Sequence, residues 1–217
     1  MRAQRGPAGL QDILLPVLAA GLFVPLFVFR ATGPLDFWSS LSLSIAFLSV
    51  SAIAVDPSYW PFLREDARTR PGFKVAMGLA SAILLYGVFF VGNLALRHLL
   101  PGSAPRISSV YALGTGVSRW RIVLLLLFFI GPGEEIFWRG YLQRSWQARF
   151  ANQAGWILAT ILYAGVHAGS GNPVLVLAAA VCGLFWGWLF FRYRSPLMLC
   201  ISHTLWDLLV FVIIPFQ

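Results

Sequence analysis

The chain has 217 residues, of which 59% are hydrophobic and only 11% charged, with a formal net charge of +8. A soluble domain carries about 25% charged residues, and here the apolar residues come in long blocks. The composition therefore excludes an ordinary soluble domain and predicts an all-α, polytopic transmembrane helical bundle, with residues 1–217 as one integral membrane domain.

A helix that crosses a bilayer needs about 20 mainly apolar residues, at ~1.5 Å each. The chain begins MRAQRGPAGLQDILLPVLAAGLFVPLFVFR, with basic residues ahead of an apolar segment and no convincing small-residue cleavage site. It reads as a first membrane helix that is retained. In order, the candidate spans are roughly Ile13–Phe29, Trp38–Val55, Val75–Leu96, Ile122–Leu142, Gly155–Ala168, Val174–Phe191 and Leu197–Phe216. An eighth short segment fits in SSVYALGTGVSRW, so about seven to eight membrane helices are expected. Between the second and third spans, REDARTRPG reads as a charged, solvated turn stopped by proline. Cys182 and Cys200 lie in apolar stretches and read as small buried hydrophobes, with no zinc-type spacing.

The loops set an orientation. With the N-terminus inside, the cytoplasmic side receives Arg2, Arg5, Arg64, Arg68, Arg70, Lys74, Arg144, Arg149, Arg192 and Arg194, ten in all. The outer side receives Arg30, Arg97, Arg106, Arg119 and Arg121, which is five. Cytoplasmic loops carry the excess of Lys and Arg, so the N-terminus is expected inside and the C-terminus outside. Basic residues spaced by membrane helices explain the net charge without nucleic acid as a partner; the expected surroundings are membrane lipids.

Five of the eight acidic residues lie in loops or at span ends; Glu134, Glu135 and Asp207 fall within spans. His98 stands beside Arg97 at a span end, whereas His167 and His203 are also within spans. A charged side chain at mid-bilayer costs on the order of 3 kcal/mol on insertion scales, so such groups face the protein interior, pair, or line a wet cavity. Glu135 and Arg139 are four residues apart and share a helix face. Tyr163 and His167 have the same spacing, as do His203 and Asp207, and a carboxylate one turn from an imidazole can orient it. Glu134 points about 100° away from Glu135 and has no partner in its own segment.

No GxSxG, HExxH or recognisable Ser/His frame is present. What remains is a glutamate with an apolar wall and two histidines. An apolar wall makes a glutamate an effective base towards water at neutral pH, and histidine can share the proton or stabilise an oxyanion. That set suits hydrolysis of an amide inside the membrane. The rival is metal: Glu134, His167 and His203 form a three-ligand set of the kind catalytic zinc uses.

EEIFWRG matches the EExxxR motif, YAGVH (Tyr163 to His167) the FxxxH motif with Tyr for Phe, and HTLWD (His203 to Asp207) the HxxxN/D motif of one family. In these residues the chain resembles the CPBP intramembrane proteases, the CAAX-protease and bacteriocin-processing membrane proteins also called the Abi family. The motifs fall in the family's order within the half of the chain from about residue 120 to 217. The resemblance implies a glutamic-type endopeptidase in which Glu134 activates water, helped by His167. His203 and Asp207 would bind the oxyanion or scissile carbonyl. Glu135, Arg139 and Tyr163 would support the site. A metal-free mechanism is the favoured implication, with zinc the alternative.

Eukaryotic members trim prenylated CAAX proteins, and bacterial members process peptides or C-terminal sorting tails. The short chain, rich in Arg and Trp, looks bacterial, so the expected setting is the cytoplasmic membrane. The expected substrate is a peptide or protein with a hydrophobic or lipidated tail. Two other readings stand beside the protease: a non-catalytic peptide-binding or immunity protein, and a proton-coupled transporter, against which the one-sided placement of the polar residues counts.

Overall fold

The computed structural model describes residues 11–150 and 152–216, so Arg2 and Arg5 of the orientation count lie outside the described residues. Apart from a two-residue antiparallel pairing, Ala31–Thr32 with Leu35–Asp36, the regular elements described are helical. Helix α1 (Gln11–Phe29) leads through that tight turn into α2 (Phe37–Val55), whose first turn is capped by Asp36, accepting from the Ser39 amide at 3.1 Å. Next come α3 (Tyr59–Arg68), α4 (Pro71–Leu99) and α5 (Ser103–Tyr111). The motif-bearing part is α6 (Arg119–Arg149), α7 (Asn152–His167), α8 (Pro173–Tyr193) and α9 (Pro196–Ile213).

Among the described residues, four helices (α2, α4, α8 and α9) are long and apolar enough to cross a membrane. A fifth span results if α5 and α6, bent by 90° at their junction, count as one broken span. This corrects the expected seven to eight. The apolar part of α1 covers only Ile13–Phe29, and α7 has 16 residues. A 16-residue helix reaches ~24 Å, short of the ~30 Å hydrocarbon core. Helix α6 is long enough, but Glu134, Glu135 and Arg139 interrupt its apolar run. The eighth segment sought in SSVYALGTGVSRW is only the end of α5 and a single 3-10 turn, Ala112–Gly114.

Small residues let these helices approach closely. A Cβ on Gly131 would sit 2.9 Å from Thr204 Cα, so α6 and α9 meet there almost backbone to backbone. A Cβ on Gly183 would come within 2.8 Å of Thr160 Cγ2, which brings α8 onto α7. Helix pairs in lipid lack a hydrophobic drive towards each other and depend on such packing. Helix α2 is tied to α6 by the Ser49 hydroxyl, which donates to the Gly133 carbonyl at 3.1 Å.

The REDARTRPG segment is not simply solvated. Asp66 is buried, pairs with Lys74 at 2.6 Å, and accepts from the Leu197 amide at 2.8 Å. It thus caps the start of α9, beside Ser195, which accepts from the Met198 amide at 3.3 Å. An anion at a helix N-terminus satisfies amides that have no partner within the helix.

Candidate active site

The GPG stretch ahead of Glu134 reads as a break in sequence, yet α6 runs through it without one. The α-helical residues Gly131–Glu134 are flanked by π-helical turns at Leu126–Ile130 and Glu135–Gln143. A π-turn widens the helix locally and re-aims side chains, and such turns are frequent at functional sites. Pro132, which lacks an amide hydrogen, is carried in the short α-helical stretch between the two. The break at GSGNP does form. Helix α7 ends at His167, a 3-10 turn covers Ala168–Ser170, and Gly171 has a φ of 62°.

Measured from the expected span ends, Glu134 and His203 each lie ~10 Å from the cytoplasmic side and His167 nearer the outer side. For Glu134 and His167 the helices remove that mismatch. Helix α6 continues to Arg149, which puts Glu134 ~22 Å from that end, and His167 is likewise ~22 Å from the start of α7. The expected end at Leu142 was one and a half to two turns short, because a helix with polar residues need not stop where the apolar run stops.

Glu134, Tyr163, His167, His203 and Asp207 line one cavity of about 100 Å³. Its remaining wall includes Phe27, Trp38, Cys182 and Trp206. The volume has room for about three water molecules at ~30 Å³ each. Phe27, Trp38, His167 and Cys182 lie towards the end of the bundle that holds the α1–α2 turn, and Glu134 and His203 lie near the middle of α6 and α9. A second cavity of about 190 Å³ adjoins it, sharing Val110, Leu175, Ala178, Trp206 and Phe211, and its lining is almost wholly apolar.

Glu134 is 5% exposed, and its Oε2 accepts from the Tyr163 hydroxyl at 2.8 Å. His167 Nδ1 lies 2.7 Å from the Tyr163 carbonyl. A carbonyl only accepts, so Nδ1 carries the hydrogen and a neutral His167 keeps its lone pair on Nε2. The imidazole is packed against Phe27, with ring centroids 4.5 Å apart.

His203 is held differently from the expectation. Its Nδ1 lies 2.8 Å from Glu135 Oε1, whereas Nε2 is 3.6 Å from Asp207 Oδ1, too long for a hydrogen bond. Glu135, not Asp207, therefore orients this ring. The same Glu135 oxygen accepts from Arg139 Nη1 at 2.9 Å, so one buried carboxylate joins α6 to α9. Trp186 stacks on His203 at 3.8 Å, and its Nε1 donates to Ser202 Oγ at 3.1 Å. Arg139 lies over the Tyr163 ring at 4.3 Å and near the Trp186 ring at 5.5 Å. Asp207 Oδ2 is buried without a hydrogen-bond partner among the described residues, beside the cavity it lines.

Glu134, His167 and His203 all line the cavity, but among the described residues no three His, Cys, Asp or Glu side chains are grouped to hold one ion. Two of the three also have an atom engaged by Tyr163, and the third by Glu135.

Phe27 and Trp186 contribute to the site without any signal in the sequence, since an aromatic residue on an apolar helix reads as core. Cys182 is buried, as expected, and is also part of the cavity wall.

Residues 116–209 match a family model described as type II CAAX prenyl endopeptidase Rce1-like, a stretch that includes all three motifs. Neither a curated protein nor a solved structure matches the chain. The part of the chain that carries Glu134, His167, His203 and Asp207 thus matches the Rce1-like CAAX prenyl endopeptidases, a protease family.

Proposed function

We propose that the chain hydrolyses a peptide bond within the membrane by a glutamate-activated water. The reading rests above all on one observation: Glu134, His167, His203 and Asp207, from α6, α7 and α9, line a single buried cavity inside the matched domain. Glu134 takes a proton from water through the carboxylate oxygen that Tyr163 leaves free. The water oxygen adds to the carbonyl carbon, and the electron pair of the carbonyl moves onto its oxygen. His203 faces that oxyanion with Nε2, and Asp207 balances the charge of the ring. His167 Nε2 shares the proton. The C–N bond then breaks, the amine leaves with the proton that Glu134 took, and a carboxylic acid remains. Such positioned base and oxyanion groups contribute about 10²–10⁴-fold each in rate.

The adjoining apolar cavity supports the substrate class proposed. It suits a peptide or protein whose scissile bond lies next to a hydrophobic or lipidated tail. The setting proposed is a bacterial cytoplasmic membrane with the N-terminus inside, in line with the distribution of arginines.

Cleavage of quenched peptides with hydrophobic or lipidated tails tests the mechanism. Glu134→Gln is expected to lower turnover by about 10³-fold while leaving peptide binding in place. His203→Ala is expected to do the same, and a chelator is expected to have no effect. Unchanged cleavage in Glu134→Gln would sink the mechanism. Loss on chelation with recovery on added zinc would replace it by metal catalysis. Binding without cleavage by the wild type would favour the peptide-binding reading.

A further inference from the structure

We infer that Tyr163 is a positioning residue that holds both groups on which the proposed hydrolysis depends, its hydroxyl fixing Glu134 and its carbonyl fixing His167; the inference rests on the glutamate reading above. The two contacts come from one residue on the last turn of α7. The hydroxyl donates to Glu134 Oε2 at 2.8 Å, and the carbonyl accepts from His167 Nδ1 at 2.7 Å. The first contact decides which carboxylate oxygen is engaged and which is left for water. The second decides which imidazole nitrogen keeps its lone pair.

The ring is itself fixed. Trp138 meets it edge-on, with centroids 5.3 Å apart, and the Arg139 guanidinium covers a face at 4.3 Å. A ring clamped in this way carries its hydroxyl to one place. The FxxxH motif that YAGVH resembles has phenylalanine here, so the ring is common to both and the hydroxyl is this chain's departure from the motif. That makes the hydroxyl separable from the fold, because a phenylalanine in this position is sterically what the motif already carries.

The bland alternative is that a buried tyrosine has simply found an acceptor for its O–H. The two differ in what Tyr163→Phe does. If the hydroxyl positions Glu134, kcat falls about tenfold with KM unchanged, since a donor to a charged acceptor is lost at the base itself. Thermal stability is expected to stay near that of the wild type. Infrared spectra supply a readout that needs no substrate: the carboxylate band absent in Glu134→Gln is expected to shift in Tyr163→Phe.

Wild-type kcat and infrared band in Tyr163→Phe would overturn the inference. Full activity in Glu134→Gln would instead remove the glutamate reading, while the infrared comparison would still report whether the hydroxyl holds Glu134. The two failures are therefore distinguishable.

Discussion

Glu135 receives two donors on one oxygen, Arg139 Nη1 from its own helix and His203 Nδ1 from α9. It is fully buried, and Arg139 is only 2% exposed. Breaking a buried ion pair by removing one partner leaves the other charge uncompensated, which costs on the order of 3 kcal/mol. Glu135→Ala is therefore expected to lower the thermal midpoint in detergent markedly and to abolish cleavage by freeing His203. Glu135→Gln keeps the side chain's shape and one acceptor oxygen, so it is expected to retain more of the fold than of the activity. Equal losses of stability in the two variants would show that charge, not shape, governs this position. The pairing with Arg139 was legible in the sequence because four residues return to the same helix face. The partner of His203 was not. Asp207 has the right spacing for it, but His203 instead bonds a carboxylate 68 residues away, whose approach is set by the crossing of α6 and α9 and by no local pattern.

At the scale of elements, that crossing depends on Gly131. Its missing side chain is what allows the Thr204 backbone to pass, with Cα 2.9 Å from where a Cβ would be. Overpacking a tight contact costs about 1–3 kcal/mol. Here the displacement also separates Glu135 from His203, so Gly131→Ala is expected to reduce activity by more than its effect on stability would explain. Gly87→Ala on α4, where a Cβ would meet nothing within 4 Å, is the matched control and is expected to be silent. Equal, full activity of both variants would show that the crossing tolerates a methyl group and that the site does not rely on it. The sequence marked GPG as irregular, which was informative, but indicated a break where the helix in fact passes between two π-turns. Composition alone does not distinguish a broken helix from a widened one, because the outcome depends on which neighbouring helix fills the space. Helix number was overestimated for a related reason. An apolar run shows that a segment is buried in something, and for α1 and α7 the run is too short to show that it crosses a bilayer alone.

For the whole molecule, the position of the cavity and the distribution of charge together give the site a side. The cavity residues on α7 and α8 stand at the end where α7 stops, His167 and then Leu175, Ala178 and Cys182. The bundle end on that side carries Arg30, Arg97, Arg106, Arg119 and Arg121. The opposite end carries Arg64, Arg68, Arg70, Lys74, Arg144, Arg149, Arg192 and Arg194. Cytoplasmic loops bear the excess of Lys and Arg, so the proposed orientation puts the more basic end inside and the cavity towards the outer side of the bilayer. On that proposal the substrate is a chain that has already been translocated, such as the membrane-anchored tail of an exported protein. Single cysteines test the arrangement without any substrate. Thr115 is exposed near the cavity end, and Thr69 is exposed at the other. Thr115→Cys is expected to react with a membrane-impermeant maleimide in intact cells whose outer barrier has been opened, and Thr69→Cys only after lysis. The wild-type chain serves as the blank, because Cys182 and Cys200 sit within α8 and α9. The reverse labelling pattern would turn the cavity towards the cytoplasm, and the substrate would then be a protein that never leaves it.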